Sequence, residues 1–115
     1  MRLLSTTRLF AIAAAAGLSF SMSAYAGPDA DAAQKLAKDS GCTKCHSIDK
    51  GKKGPAYQKT AAKYKGKAEG EAKLIEIVTK SPKVKFEDGS EEEHKAVNTK
   101  DPAQVKNLVQ WILAQ

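Results

Sequence analysis

The sequence has few of the residues that build or cross-link a conventional protein core. Its 115 residues include one tryptophan, three tyrosines and three phenylalanines, and only two cysteines. Two cysteines allow at most one disulfide, which excludes a disulfide-rich scaffold. The length excludes a multidomain enzyme and a doubly wound α/β fold, and it fits one small domain. We therefore expect something besides side chains to stabilise this domain.

No apolar run reaches the roughly 20 residues that a membrane-spanning helix needs. The amino terminus instead has the three parts of a secretory signal in order. Residues 1–8 carry two arginines and no acid, residues 9–20 are mainly apolar, and Ala24-Tyr25-Ala26 is a small-residue cleavage pattern. We expect cleavage after Ala26 and a periplasmic protein with no stable membrane insertion. The alternative is an uncleaved helix that anchors the chain to a membrane.

Removal of residues 1–26 leaves one domain, residues 27–115, with an unusual inventory. It retains 17 lysines against 13 acidic residues, so its formal charge is +4, and it contains no arginine and no methionine. Lysines are dense through residues 44–73, whereas five acids fall within residues 87–93. This pattern fits either a solvated surface of mixed sign or a basic rim that attracts an acidic partner protein. Interleaved acids argue against nucleic-acid binding.

The pattern of apolar residues predicts an all-α domain of about four short helices. Three are expected at residues 29–39, 55–64 and 69–80, and residues 81–100 are expected to form a loop. The last helix has Asp101 as its cap and proline at its first position. Side chains expected in the core are Ala33, Leu36, Ala37, Leu74, Ile75, Ile77, Val78, Val105, Leu108, Val109 and Ile112.

The chemistry is concentrated at Cys42-Thr43-Lys44-Cys45-His46, a C-x-x-C-H sequence typical of covalent c-type haem attachment. Two thiols at this spacing lie on one side of a helical turn, where each can add to one vinyl group of the porphyrin. The next residue then places an imidazole below the ring, where it can bind the iron. We therefore expect one haem c, bound through Cys42 and Cys45.

Two other interpretations of the cysteines fit less well. A thioredoxin-like redox pair or a disulfide belongs beside a βαβ pattern, which the sequence lacks. A zinc site would have to combine Cys42 and Cys45 with His46 and His94. Since His46 adjoins Cys45 and His94 is distant, this set departs from the histidine spacing of zinc fingers.

The mature chain resembles the class I cytochromes c of the small monohaem bacterial periplasmic type. The resemblance rests on the haem-binding sequence, on Gly54-Pro55-Ala56-Tyr57 and on the carboxy-terminal helix through Leu113. It implies a cytochrome c fold with helices wrapped around one haem, His46 as proximal ligand, and the Pro55 carbonyl accepting a hydrogen bond from that imidazole. It also implies crossing of the first and last helices near Trp111.

The resemblance further implies a monomeric electron-transfer protein that acts with redox partner proteins. An 89-residue chain offers little substrate pocket beyond the haem itself, so we do not expect an enzyme.

The chain departs from this family at the distal ligand, because no methionine follows residue 22. His94 stands near the expected position and is the only other histidine, which predicts a bis-histidine haem of lower potential. The acids beside His94 are expected to raise the pKa of an unligated imidazole, which counts against ligation. The alternatives are Lys83, Lys85, Lys95 or Asn98 as sixth ligand, or an open site that binds gas ligands.

Overall fold

The computed structural model describes Gly17 and residues 27–115. The predicted signal peptide, apart from that glycine, lies outside the described residues. The helices are α1 (Ala30–Asp39), α2 (Tyr57–Tyr64), α3 (Gly70–Lys80) and α4 (Pro102–Leu113), and Cys42–Lys44 forms a 3-10 turn. Two short strands, β1 (Lys83–Lys85) and β2 (Glu91–Glu93), lie between α3 and α4. The predicted mainly helical architecture is confirmed, and no described helix is long and apolar enough to cross a bilayer.

Aspartate caps begin the first and last helices. Asp29 accepts a hydrogen bond from the Ala32 amide at 3.0 Å, and Asp101 accepts one from the Ala103 amide at 2.9 Å. Each carboxylate thereby satisfies an amide that has no partner within its helix. Gly41 follows α1 with a φ of 76°, a left-handed conformation that glycine adopts without strain. These helix ends agree with the sequence prediction.

Helices α1 and α4 pack against each other, and α2 and α3 also pack on α4. Ala33 of α1 and Leu108 and Val109 of α4 are completely buried. The small alanine allows the two helices to approach closely. The Asn107 side chain adds a pair of hydrogen bonds with the Asp29 backbone, at 2.8 and 2.9 Å. The expected contact of the first and last helices is therefore present.

Helix α2 begins two residues later than the prediction of residue 55. Ala56 is still extended, with a ψ of 145°. The amides of Tyr57 and Gln58 bond to the carbonyls of Ser47 and Ile48 at 2.9 and 3.0 Å. Amides in the first turn of a helix have no partner within it, so the preceding loop supplies one. The loop after the haem-binding sequence is thereby fixed to the start of α2.

The prediction of a loop across residues 81–100 was wrong in part, because β1 and β2 form an antiparallel hairpin. Lys83 lies opposite Glu93 and Lys85 lies opposite Glu91. Opposite charges at facing positions stabilise an antiparallel pair. Strands of three residues are too short for an alternating apolar pattern to reveal them.

Candidate functional site

The 3-10 turn and the two residues that follow it hold the two cysteines and the histidine of the haem-binding sequence in one short segment. The amides of Cys45 and His46 both bond to the Cys42 carbonyl, at 3.1 and 2.9 Å. Cys42, Cys45 and His46 are each partly buried, and no disulfide joins the two thiols. Burial raises the pKa of the Cys42 thiol, although its own backbone and the charge of Lys95 act in the opposite direction.

These residues line a cavity of about 1170 Å³ in the centre of the domain. Its wall combines the haem-binding turn with side chains from α2, α3, α4 and the hairpin. Members of this wall include Tyr57, Tyr64, Leu74, Ile77, Val78, Val84, Phe86, His94, Leu108 and Ile112. Of the four apolar residues of α3 predicted to be buried, only Leu74 is, and Ile75, Ile77 and Val78 are half-buried. Ile77 and Val78 face this cavity instead of packing fully against other side chains.

His46 is held in a fixed orientation at one side of the cavity. Its Nδ1 donates a hydrogen bond to the Pro55 carbonyl at 2.7 Å, the bond that the family resemblance implied. A carbonyl only accepts, so Nδ1 carries the proton and Nε2 keeps a lone pair. The imidazole also stacks on Tyr57, with ring centres 5.5 Å apart and planes 19° apart. Tyr57 in turn meets Trp111 edge to face at 5.4 Å.

His94 follows β2 and contributes a second imidazole to the cavity wall. Its backbone amide donates to the Pro82 carbonyl at 2.9 Å, and its Nδ1 donates to the Lys95 carbonyl, also at 2.9 Å. Nε2 of this ring is therefore also an acceptor. The centres of the His46 and His94 rings are 6.1 Å apart, with their planes tilted by 37°. The structure thus brings together the two histidines that the sequence singled out.

The residues around this cavity fit a covalently bound haem. Two thiols three positions apart supply the attachment points, and the adjacent imidazole supplies a metal ligand with its Nε2 lone pair. The Tyr57 hydroxyl is buried without a hydrogen-bond partner among the described residues, and burial raises its pKa. Within residues 27–115, no group of three or more histidine, cysteine or acidic side chains is arranged to hold a metal ion.

Comparison with known proteins agrees with this geometry. A sequence model of the cytochrome c family matches residues 30–115. The chain belongs to the cytochrome c family. The crystal structure of the class 1 cytochrome MtoD from Sideroxydans lithotrophicus ES-1 is 56% identical, covers 76% of this chain and 97% of its own, and superposes with a TM-score of 0.73.

Two cytochromes c-551 are also similar to this cytochrome. The protein from Pseudomonas aeruginosa is 31% identical over 93 residues, which cover 77% of this chain and 82% of the relative. The protein from Allochromatium vinosum is 48% identical over 48 residues, and that alignment covers 42% of this chain and about half, 51%, of the relative. This cytochrome is accordingly a small electron carrier and not an enzyme, and it carries haem c through Cys42 and Cys45.

Gly54 is a residue of this cytochrome's site that sequence reasoning did not single out as functional. It is buried, and a Cβ atom there would lie 2.8 Å from Nδ1 and 2.9 Å from Nε2 of His46. Its amide also bonds to the Cys45 carbonyl at 2.7 Å. Only glycine leaves room for the imidazole at this point. The sequence signal that could have indicated this role is the position of the glycine, directly before the proline whose carbonyl orients His46.

The Gly54→Ala variant is expected to displace the His46 ring and to weaken its bond to Pro55. We expect a loss of about 1–3 kcal/mol in the free energy of unfolding, as for other overpacked sites, and a changed haem absorption spectrum. Denaturant unfolding and absorption spectroscopy measure both effects. Gly51→Ala is the matched control, because a Cβ at Gly51 meets nothing within 4 Å. Equal behaviour of the two variants would show that Gly54 is not required for the fit.

The expectation that neighbouring acids raise the pKa of His94 was wrong. Burial lowers the pKa of His94, and repulsion between the two imidazoles, were both protonated, would lower it further, although the bond to the Lys95 carbonyl opposes this shift. The acids of β2 have lysine neighbours of their own. Two face lysines of β1 across the hairpin, and Glu92 pairs with Lys53 at 2.7 Å. The neutral imidazole is therefore favoured.

The other predicted sixth ligands are placed less well than His94. Lys83 is exposed on β1 opposite an acid. Asn98 is exposed, and its backbone amide bonds to the Ser40 hydroxyl at 2.8 Å. Lys85 and Lys95 contribute to the cavity wall, but the Lys95 ammonium lies beside Gly41, next to the attachment turn.

Proposed function

We propose that this cytochrome is a periplasmic one-electron carrier in which His46 is the proximal and His94 the distal haem ligand. The observation that carries this proposal is the pair of imidazoles on the cavity wall, each with Nδ1 bonded to a carbonyl and Nε2 left as an acceptor. Metal-binding histidines are commonly oriented in this way, by a hydrogen bond from the ring nitrogen that does not bind the metal to a backbone carbonyl.

The positions of the two rings support the proposal. The centres of the His46 and His94 rings are 6.1 Å apart. Both rings keep an Nε2 acceptor and line the same cavity, so the two imidazoles would both be able to bind a haem iron held there.

The haem iron gains and loses one electron, and the residues around the haem set the potential at which it does so. Pro55 and the Lys95 carbonyl fix the orientations of the two imidazoles. Imidazole in place of a methionine thioether removes the ligand that raises haem potentials. We therefore expect a lower potential than in relatives with a distal methionine.

Export and partner choice belong to the same proposal. The signal-like residues 1–26 support export, with a mature chain that starts at Gly27. Several lysines are exposed around the cavity, among them Lys44, Lys52, Lys53 and Lys59. A basic rim of this kind favours brief contact with an acidic face of a redox partner.

Electron paramagnetic resonance of the oxidised holoprotein tests the ligand set. We expect a low-spin signal typical of two axial imidazoles. Mass spectrometry of the same protein tests cleavage, and we expect a mass equal to residues 27–115 plus one haem. A high-spin signal would overturn the distal role of His94 and support an open site that binds gas ligands. A mass that includes residues 1–26 would contradict cleavage after Ala26.

A further inference from the structure

One side chain connects the loop on the His46 side of the cavity to the hairpin that precedes His94. Lys53 lies directly before Gly54 in the chain. Its ammonium is 2.7 Å from a carboxylate oxygen of Glu92 on β2. The same ammonium lies 5.0 Å from the ring centre of Phe86, which follows β1. Lys53 therefore contacts both arms of the hairpin.

The alternation of side chains along β2 explains why Glu92 meets Lys53. Successive residues of a strand point to opposite faces, so Glu91 and Glu93 share one face and Glu92 lies on the other. Glu91 faces Lys85 and Glu93 faces Lys83 across the hairpin. Glu92 thus remains as the β2 acid that reaches outside the hairpin.

We propose that Lys53 is a positioning residue that holds the hairpin, and with it His94, against the haem cavity. The inference rests on the proposed ligation by His94. Glu92 is two residues before His94, and Lys53 is one residue from the glycine that contacts His46. Loss of the Lys53 contacts would let the hairpin move away from the cavity and carry the distal imidazole with it.

This positioning contact is expected to be modest in strength and sensitive to salt. The ion pair is about half exposed, with side-chain exposures of 46% for Lys53 and 54% for Glu92. Exposed ion pairs are weak and are screened at high ionic strength. The Lys53 ammonium also makes a cation–π contact with the Phe86 ring. Together the two contacts lower the population of molecules in which the hairpin is displaced. Their loss raises this population and leaves the rest of the domain folded.

The test measures carbon monoxide binding to the reduced holoprotein, in which the distal ligand must leave first. The variant Lys53→Met keeps the length of the side chain and removes its charge. We expect its binding rate to exceed that of the wild type by about three- to tenfold at low salt.

Two further variants and a salt series test the same contact. Glu92→Gln should show a smaller increase in the binding rate than Lys53→Met, and the double variant should match Lys53→Met. High salt should raise the wild-type rate towards that of the variants. Carbon monoxide is uncharged, so steering by surface charge does not contribute.

Lys50→Met is the matched control, because it removes the same charge from the same loop. No ion pair or side-chain hydrogen bond joins the Lys50 ammonium to the described residues. Its rate should equal that of the wild type. Equal rates for Lys53→Met and Lys50→Met, with a low-spin wild type, would overturn the role of Lys53 and leave ligation by His94 intact. Fast binding already in the wild type, with a high-spin oxidised spectrum, would instead overturn the proposed function.

Discussion

Replacement of both Cys42 and Cys45 with serine is expected to yield a chain that carries no covalent haem and has lost most of its helical structure. Serine hydroxyls do not form the thioether bonds that hold haem c. The expected loss is far larger than that of a normal core substitution, because the haem occupies the position around which the helices are arranged.

The distribution of buried side chains explains this sensitivity. Leu108 and Val109 are the largest side chains that are fully buried in the described residues, and both belong to α4. Helices α2 and α3 meet α4 around a cavity of about 1170 Å³. Without haem, the apolar side chains of the cavity wall would lose their packing partner, and losses of about 2–5 kcal/mol per large core side chain are serious in a small domain whose whole stability is about 5–15 kcal/mol.

Mass spectrometry and far-ultraviolet circular dichroism of the exported protein measure this result. Thr43→Ala is the matched control, because Thr43 lies between the cysteines and its side chain is exposed. It should retain the haem and the helical signal. A double serine variant that keeps native helicity without haem would show that the side chains alone stabilise this fold.

The local signals in the sequence were sufficient for the helices and for the attachment site. The cap at Asp101, the proline after it and the spacing of Val105 and Leu108 predicted α4 with its correct start. Such signals lie within a few residues of the structure that they determine. The C-x-x-C-H spacing likewise specifies its chemistry within one turn.

The hairpin and the role of Gly54 could not be predicted in the same way, because both depend on contacts between separate segments. β1 and β2 are held by the pairing of lysines with glutamates across a turn, which no apolar pattern reveals. The need for glycine at position 54 arises from the orientation of the His46 ring. The direction of the His94 pKa shift was wrong for a related reason, since burial outweighed the neighbouring charges.

The variant His94→Ala is expected to convert the oxidised protein from a low-spin to a high-spin state. Alanine offers no ligand, Asn98 is exposed, and the Lys95 ammonium lies beside Gly41. Reduced His94→Ala protein should bind carbon monoxide without waiting for a distal ligand to leave. Because His94 is only half-buried, the helical circular dichroism should change little.

The companion variant His94→Met distinguishes ligation from a general loss of packing. Methionine restores a sixth ligand of the type that raises haem potentials, so we expect a low-spin protein with a potential higher by on the order of 0.1 V. Spectroelectrochemical titration measures this shift, with Lys95→Ala and Asn98→Ala as controls that should retain the wild-type spectrum and potential. If His94→Ala stays low-spin at an unchanged potential, the distal ligand is another residue. Loss of the low-spin state in Lys95→Ala would identify that lysine, because its side chain is the nearest alternative in sequence on the cavity wall.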